Sequence, residues 1–186
     1  MIAKIEHKII NLPFEFETQK FEKTVEIQLY DENGKQVNTE TLGYVSQEQW
    51  FQSIESKNEL IFKNCFIDNF NLDFYRETKN IADKTPIFLT KIELNNCIIH
   101  SQNQVSFRYL GCPDNSVIFN SCFFIADEID FSNSIFACEQ VVFDQCNFLG
   151  AIFKFEQVQF NDCNFTLKNS NFASGNKSFK KPSFCR

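Results

Sequence analysis

The sequence predicts an all-β solenoid with a small α+β cap at its N-terminus. Three observations carry this. First, a pair of residues recurs through the middle of the chain at short fixed steps. Its first member is small or branched, its second is large and apolar, and one spacer separates them. Second, polar dipeptides such as Asn95-Asn96, Asn120-Ser121, Asp144-Gln145 and Asn161-Asp162 stand between successive pairs, where Asn, Asp and Ser favour turns. Third, residues 1–59 lack the beat and read as strand, hairpin and helix.

The cap comes first, because the terminal coil of a solenoid otherwise exposes its apolar face. Phe14, Phe16 and Phe21 suit one strand of it. Val25, Ile27 and Leu29 alternate with Glu26 and Gln28, the pattern of a half-buried strand. Asn33-Gly34 then signals a hairpin. Ser46 to Ser56 reads as a helix: Ser46 and Gln49 fit a capping box, and Trp50 and Ile54 share a face. Trp50 is expected to plug the open first coil, a reading set against an aromatic binding spot.

Residues 60–172 carry the repeat. Residues two apart on an extended chain point the same way, so both members of a pair face inward. The spacers face out, and several are polar: Asp130, Asn147, Gln159 and Asn164. From Phe119 the large residues fall at 124, 131, 136, 143, 148, 153, 160, 165 and 172. The steps are of five and seven, and four steps bring the chain back to its starting side. Phe119 to Phe143, Phe124 to Phe148 and Cys122 to Cys146 are each 24 residues. Coils of that length place Phe119 over Phe143, Phe124 over Phe148, and Cys97, Cys122 and Cys146 in a ladder. Cys65 and Cys163 read as occupying the same position in the repeat, while Cys112, Cys138 and Cys185 lie off register or at a corner or tail.

Most of the eight cysteines therefore read as small buried hydrophobes. No Cys-x-x-Cys occurs and both histidines are isolated in sequence, which argues against zinc. Stacked free thiols imply a reducing, cytoplasmic setting. No apolar run is long enough to span a bilayer, and the N-terminus does not read as a signal peptide.

Two stretches break the beat: Tyr75–Pro86 and His100–Pro113. They are either tolerated insertions or the elements that contact a partner, and Tyr75, Arg76, Lys79, Lys84, His100, Arg108 and Tyr109 are the candidate contact residues. After Phe172 the beat is lost, and residues 173–186 read as a basic tail.

The motif small–(Asn/Asp)–(Leu/Phe)–x–x, best seen in Cys146-Asn147-Phe148-Leu149-Gly150 and Cys163-Asn164-Phe165, resembles the pentapeptide-repeat family. The resemblance covers residues 60–172 and implies a right-handed quadrilateral β-helix. It also implies a choice of functions. Some members mimic duplex DNA and modulate DNA gyrase or related topoisomerases. Members often dimerise end to end, a role open here to Phe179 or Phe184.

Charge and chemistry narrow the choice. Residues 1–60 carry 6 basic and 11 acidic groups, residues 61–172 carry 8 and 13, and the last 14 residues carry 4 basic groups and no acid. An acidic body argues against binding a phosphate backbone directly. His7 and His100 are far apart, and His100 should point outward at a corner. No nucleophile setting, phosphate loop or metal motif is evident, so the sequence argues against an enzyme and calls for no cofactor. The leading expectation is a non-catalytic scaffold or adaptor that binds another protein, with the DNA mimic as the alternative. An enzyme site near His100 is a distant third.

Overall fold

The computed structural model describes residues 2–150, 152–173 and 176–185. It is mostly strand, with two short helices. No helix among the described residues is long and apolar enough to cross a membrane.

Four parallel sheets organise the chain from Glu59 onward, and successive strands visit them in turn. Sheet I holds Glu59–Lys63, Lys91–Asn95, Ser116–Asn120, Gln140–Asp144 and Asn164–Lys168. Sheet II holds Cys65–Ile67, Ile98–His100, Phe123–Ile125, Asn147–Leu149 and Asn171–Phe172. Sheet III holds Gln104–Ser106, Glu128–Asp130, Ile152–Lys154 and Asn176–Ser178. Sheet IV holds Ile87–Phe88, Leu110–Cys112, Ile135–Phe136, Gln159–Asn161 and Ser183–Cys185.

The register is regular. Val117 pairs with Val141 and Val141 with Phe165; Phe124 pairs with Phe148 and Phe148 with Phe172. One circuit therefore takes 24 residues from Ser116 onward. Corners are made by residues in the left-handed region. Asn64, Asn96, Ser121, Gln145 and Asn169 turn the chain from sheet I to sheet II, with φ of 49 to 54°. Tyr109, Asn133, Gln157 and Lys181 do so between sheets III and IV, with φ of 53 to 61°.

Inside, the large residues stack. Phe119 lies 4.8 Å from Phe143 at 13°, Phe124 lies 4.8 Å from Phe148 at 10°, and Phe107 lies 4.6 Å from Phe131 at 2°. Cys65, Cys97, Cys122 and Cys146 line the corner before sheet II, fully buried. Each of the last three directs its sulfur at a carbonyl of the preceding circuit, that of Phe62, Leu94 or Phe119. Burial pushes the Cys97 and Cys122 thiols well up. These are packing residues.

The structure corrects the sequence count in three places. The register continues Phe131 to Phe155 and Phe143 to Leu167, so the steps alternate strictly between five and seven; Phe153 and Phe165 are the inward partners of those residues. Cys163 is not in the ladder. Ser170 follows Cys146 there, and Cys163 lies beside Cys138 at another corner. Residues 173–186 are not simply a tail, since Asn176–Ser178 and Ser183–Cys185 add strands to sheets III and IV, and Phe184 stacks on Phe160 at 4.9 Å. Cys185 gains a strand position in this way, and its side chain lies outside the described residues.

The N-terminal segment supplies two covers. α1 (Gln47–Lys57) begins at Ser46 in a full capping box with Gln49 and ends at Asn58 in the left-handed region. Its Trp50 is fully buried, 4.9 Å from the Phe70 ring, over the first circuit. The strands do something else. β1 (Ile2–Ile10), β4 (Thr24–Asp31) and β5 (Gln36–Val45) are antiparallel to one another and extend sheet II, β5 pairing parallel with Cys65–Ile67. They curl back so that Val25, Ile27, Leu29 and Leu42 pack with Phe66 and Ile98 in a second core, against which Phe123 also packs. Phe66, Ile98 and Phe123 are outward spacers of sheet II. Where the cover stops, the equivalent spacers become Asn147 and Asn171.

A hairpin of β2 (Phe14–Phe16) and β3 (Gln19–Phe21) completes this region. The Phe21 ring lies on Gly43, where a Cβ would come within 2.2 Å of it. The Gln19 amide donates to Ile61 O and accepts from Lys63 N–H, so a side chain pairs the free edge of sheet I.

Candidate functional site

The first circuit is the longest. Ile61 pairs with Glu93 across 32 residues, eight more than a regular circuit. The added length is α2 (Leu72–Thr78) and the loop to Pro86. Asn71 starts α2 by accepting from the N–H groups of Asp73 and Phe74, and it bridges Ser106 at the edge of sheet III. The helix thus stands where a strand of sheet III would otherwise be. His100–Pro113, in contrast, is hardly a departure. It contributes regular strands to sheets II, III and IV, and its circuit has one extra residue, since Ile92 pairs with Val117.

Arg76 ties the two stretches together. It is 2 % exposed. Its Nε donates to Thr85 O at 2.8 Å, Nη1 to Asp73 Oδ1 at 2.9 Å, and Nη2 to the carbonyls of Arg108 and Tyr109. Asp73 Oδ2 accepts from Ser106 Oγ at 2.7 Å and faces Arg108 Nη1 at 3.5 Å. Arg108 Nε lies 3.7 Å from Asp130, a spacer read as facing out that is in fact buried. Burial raises the Asp130 carboxyl despite the N–H of Ser132 and the Arg108 charge. Tyr109 sits in the left-handed region, costly for a bulky side chain, with both guanidinium groups about its ring.

The expected contact residues therefore divide. Tyr75 and Arg76 are inside and hold the insertion in place. Lys79 pairs with Glu55 and covers the Phe51 ring. Arg108 and Tyr109 are partly exposed, and Lys84 is exposed. What α2 presents outward is Phe74, which the sequence reading passed over and which is 45 % exposed. Beside it runs a groove of about 300 Å³ lined by Gln47, Asn69, Asn71, Ser101, Asn103 and Gln104. Every one of these is polar and uncharged.

His100 belongs to a different place. The two histidines, far apart in sequence, meet at the seam between β1 and sheet II, with ring centroids 5.2 Å apart. His7 also packs on Phe66 at 4.6 Å. His100 Nδ1 is 3.1 Å from Asp68 Oδ1, and the Tyr44 hydroxyl donates to Asp68 Oδ2. Burial and the neighbouring His100 push the His7 imidazole down. Burial alone would raise Asp68, but the His100 and Tyr44 hydrogen bonds hold it below the usual carboxylate range. Tyr44 is pushed up to about 12 by burial and by Asp68. Neither cluster offers an activated nucleophile: Ser106 is fully buried and bonded to a carboxylate. Among the described residues no three His, Cys, Asp or Glu converge to hold a metal.

No family model matches this chain, and no curated protein or solved structure proves similar to it. The site is read from its own geometry.

Proposed function

We propose that this chain is a non-catalytic protein-binding scaffold. Its repetitive part is read as a right-handed quadrilateral β-helix of the pentapeptide-repeat kind, with residues 1–59 as its cap, and its partner docks on the α2 insertion. One observation carries the reading. The insertion is clamped by a buried arginine and presents an exposed aromatic ring, Phe74, beside a groove of uncharged amides and a hydroxyl. A rigid aromatic anchor next to groups able to bond a peptide backbone suits another protein as partner. Stacked free thiols fit a cytoplasmic setting.

A binding measurement with partner captured from the native host tests this. Phe74→Ser is expected to weaken binding about thirtyfold, the ~2 kcal/mol of an aromatic hot spot. Phe88→Ser, at a site 57 % exposed on sheet IV, is expected to leave it unchanged. Equal effects of the two substitutions overturn the reading.

A second contact, with another copy of this chain, is proposed for the C-terminal end. Leu167 and Phe184 on the last strands, and Phe179 just after Asn176–Ser178, occupy inward positions and are still 38, 63 and 47 % exposed. Phe184→Glu should shift a dimer to monomer on a sizing column, and an unchanged elution volume refutes it.

The DNA-mimic alternative rests on the net charge of −6. The outward central rows read Ile61, Glu93, Ile118, Val142, Thr166 on sheet I and Phe88, Gly111, Ile135, Gln159, Ser183 on sheet IV. Neither is a line of carboxylates, so these two faces do not favour that alternative.

A further inference from the structure

Cys138 and Cys163 are 25 positions apart in sequence, and their sulfurs lie 3.6 Å apart. Both sit at the corner that leads into sheet I, ahead of the neighbouring strands Gln140–Asp144 and Asn164–Lys168. Proximity alone does not set them apart, since Cys65 and Cys97 approach to 3.4 Å. Access does. Cys65 and Cys97 are fully buried, whereas Cys163 is partly exposed, just ahead of the edge strand Asn164–Lys168 of its sheet, where local opening is easiest.

We propose that Cys138 and Cys163 form a reversible oxidation site, closed to a disulfide by a peroxide. The Cys163 thiolate attacks one oxygen of hydrogen peroxide, the O–O bond breaks, and the departing hydroxide takes a proton to become water. The Cys138 sulfur then attacks the sulfenic sulfur of Cys163. The S–S bond forms, the S–O bond breaks, and the hydroxide leaves as water with the Cys138 proton. Two thiols are oxidised, one peroxide is reduced to two waters, and the sulfurs close from contact to about 2.05 Å.

The chemistry sets the rate. Attack needs the thiolate, and burial holds the Cys163 thiol up at about 12. Closure is therefore slow at neutral pH and accelerates as pH rises. Cys112 also neighbours Cys138, whose hydrogen bond lowers the Cys112 thiol; it is the competing partner. The closed bond would tie the last strand of sheet I to its neighbour.

The test uses the full reduced chain, hydrogen peroxide at neutral and alkaline pH, and peptide mapping. The expected product has lost two hydrogens. It links tryptic peptide 155–168, whose single cysteine is Cys163, to peptide 109–154, and does so faster at alkaline pH. Cys138→Ser and Cys163→Ser should abolish the link, while Cys112→Ser and Cys146→Ser should retain it. The wild-type map stands whether or not a variant folds. Sulfinic or sulfonic acid on Cys163 without a link, a Cys112–Cys138 link, a link surviving Cys138→Ser, or no reaction at any pH overturns the proposal.

Discussion

Replacing Arg76 by Met is the most direct test of how the insertion is held. Met keeps most of the length and loses every donor. The change strands the carbonyls of Thr85, Arg108 and Tyr109 and removes one partner of Asp73. Breaking a buried ion pair from one side costs about 3–5 kcal/mol. Asp73 keeps Ser106 and Arg108 as neighbours and is partly exposed, which places the expected loss near the lower end, about 3 kcal/mol. At about 2–4 °C per kcal/mol for a chain of this size, Tm should fall by about 6–12 °C. Repetitive folds need not unfold as one unit, so the loss should also appear locally, as faster hydrogen exchange over residues 72–86. Arg76→Lys restores the charge without the fork and should recover only part of the loss. A Tm within about 2 °C of wild type, together with unchanged exchange over 72–86, would refute the clamp.

Three further outcomes follow from the geometry. Because the folded protein holds His7 below its ordinary value of 6.5, protonation favours a detached β1; stability should be level above that pH and fall below it. Asp68, held low, adds its own loss only below its ordinary 3.8, and His7→Phe should flatten the Tm profile between about pH 6.5 and 5, a parallel profile counting against the seam. Gly43→Ala drives a Cβ into the buried Phe21 ring and should cost about 1–3 kcal/mol in urea unfolding, whereas Gly111→Ala meets only the exposed Phe88 ring, which can swing away, and should cost less than about half of that. Phe131→Ala removes a fully buried ring stacked on Phe107 and should cost about 3–5 kcal/mol, against less than about 1 for Phe184→Ala; equal costs would mean the interior stack is not what stabilises the circuits.

The period was legible because packing imposes it directly: an inward pair must recur where the next circuit lies above it. The count slipped where both inward positions carry large apolar residues. Phe153 and Phe155, like Phe165 and Leu167, give no local sign of which is the second member. α1 was legible because its cap is local chemistry at Ser46 and Gln49. β1 was not, since Ile2, Ile5 and Ile9 do not alternate cleanly and a bulge breaks the strand between Ile2 and Lys4. A signal for its cover did exist in the spacers. Phe66, Ile98 and Phe123 are apolar where Asn147 and Asn171 are polar, and three apolar outward residues in a row need something over them. The meeting of His7 with His100 had no such signal, because it depends on how an antiparallel extension curls across sheet II.

Arg76 also bears on why, on the proposed scaffold reading, a repetitive fold would place its docking element in one long circuit. Within regular circuits the backbone bonds run from each strand to its neighbours, and the outward side chains form rows on flat sheet faces. An insertion escapes that uniformity but gives up the ladder that would have fixed its backbone. Left to itself it would be a mobile loop, and a partner would have to order it at the expense of affinity. Here a single guanidinium donates to carbonyls at both ends of the problem, Thr85 within the insertion and Arg108 and Tyr109 on the following circuit. Those bonds replace the missing ladder. They let α2 hold Phe74 outward in a fixed position, and on the proposed scaffold reading the residue that looked from the sequence like a surface contact would serve binding from the inside.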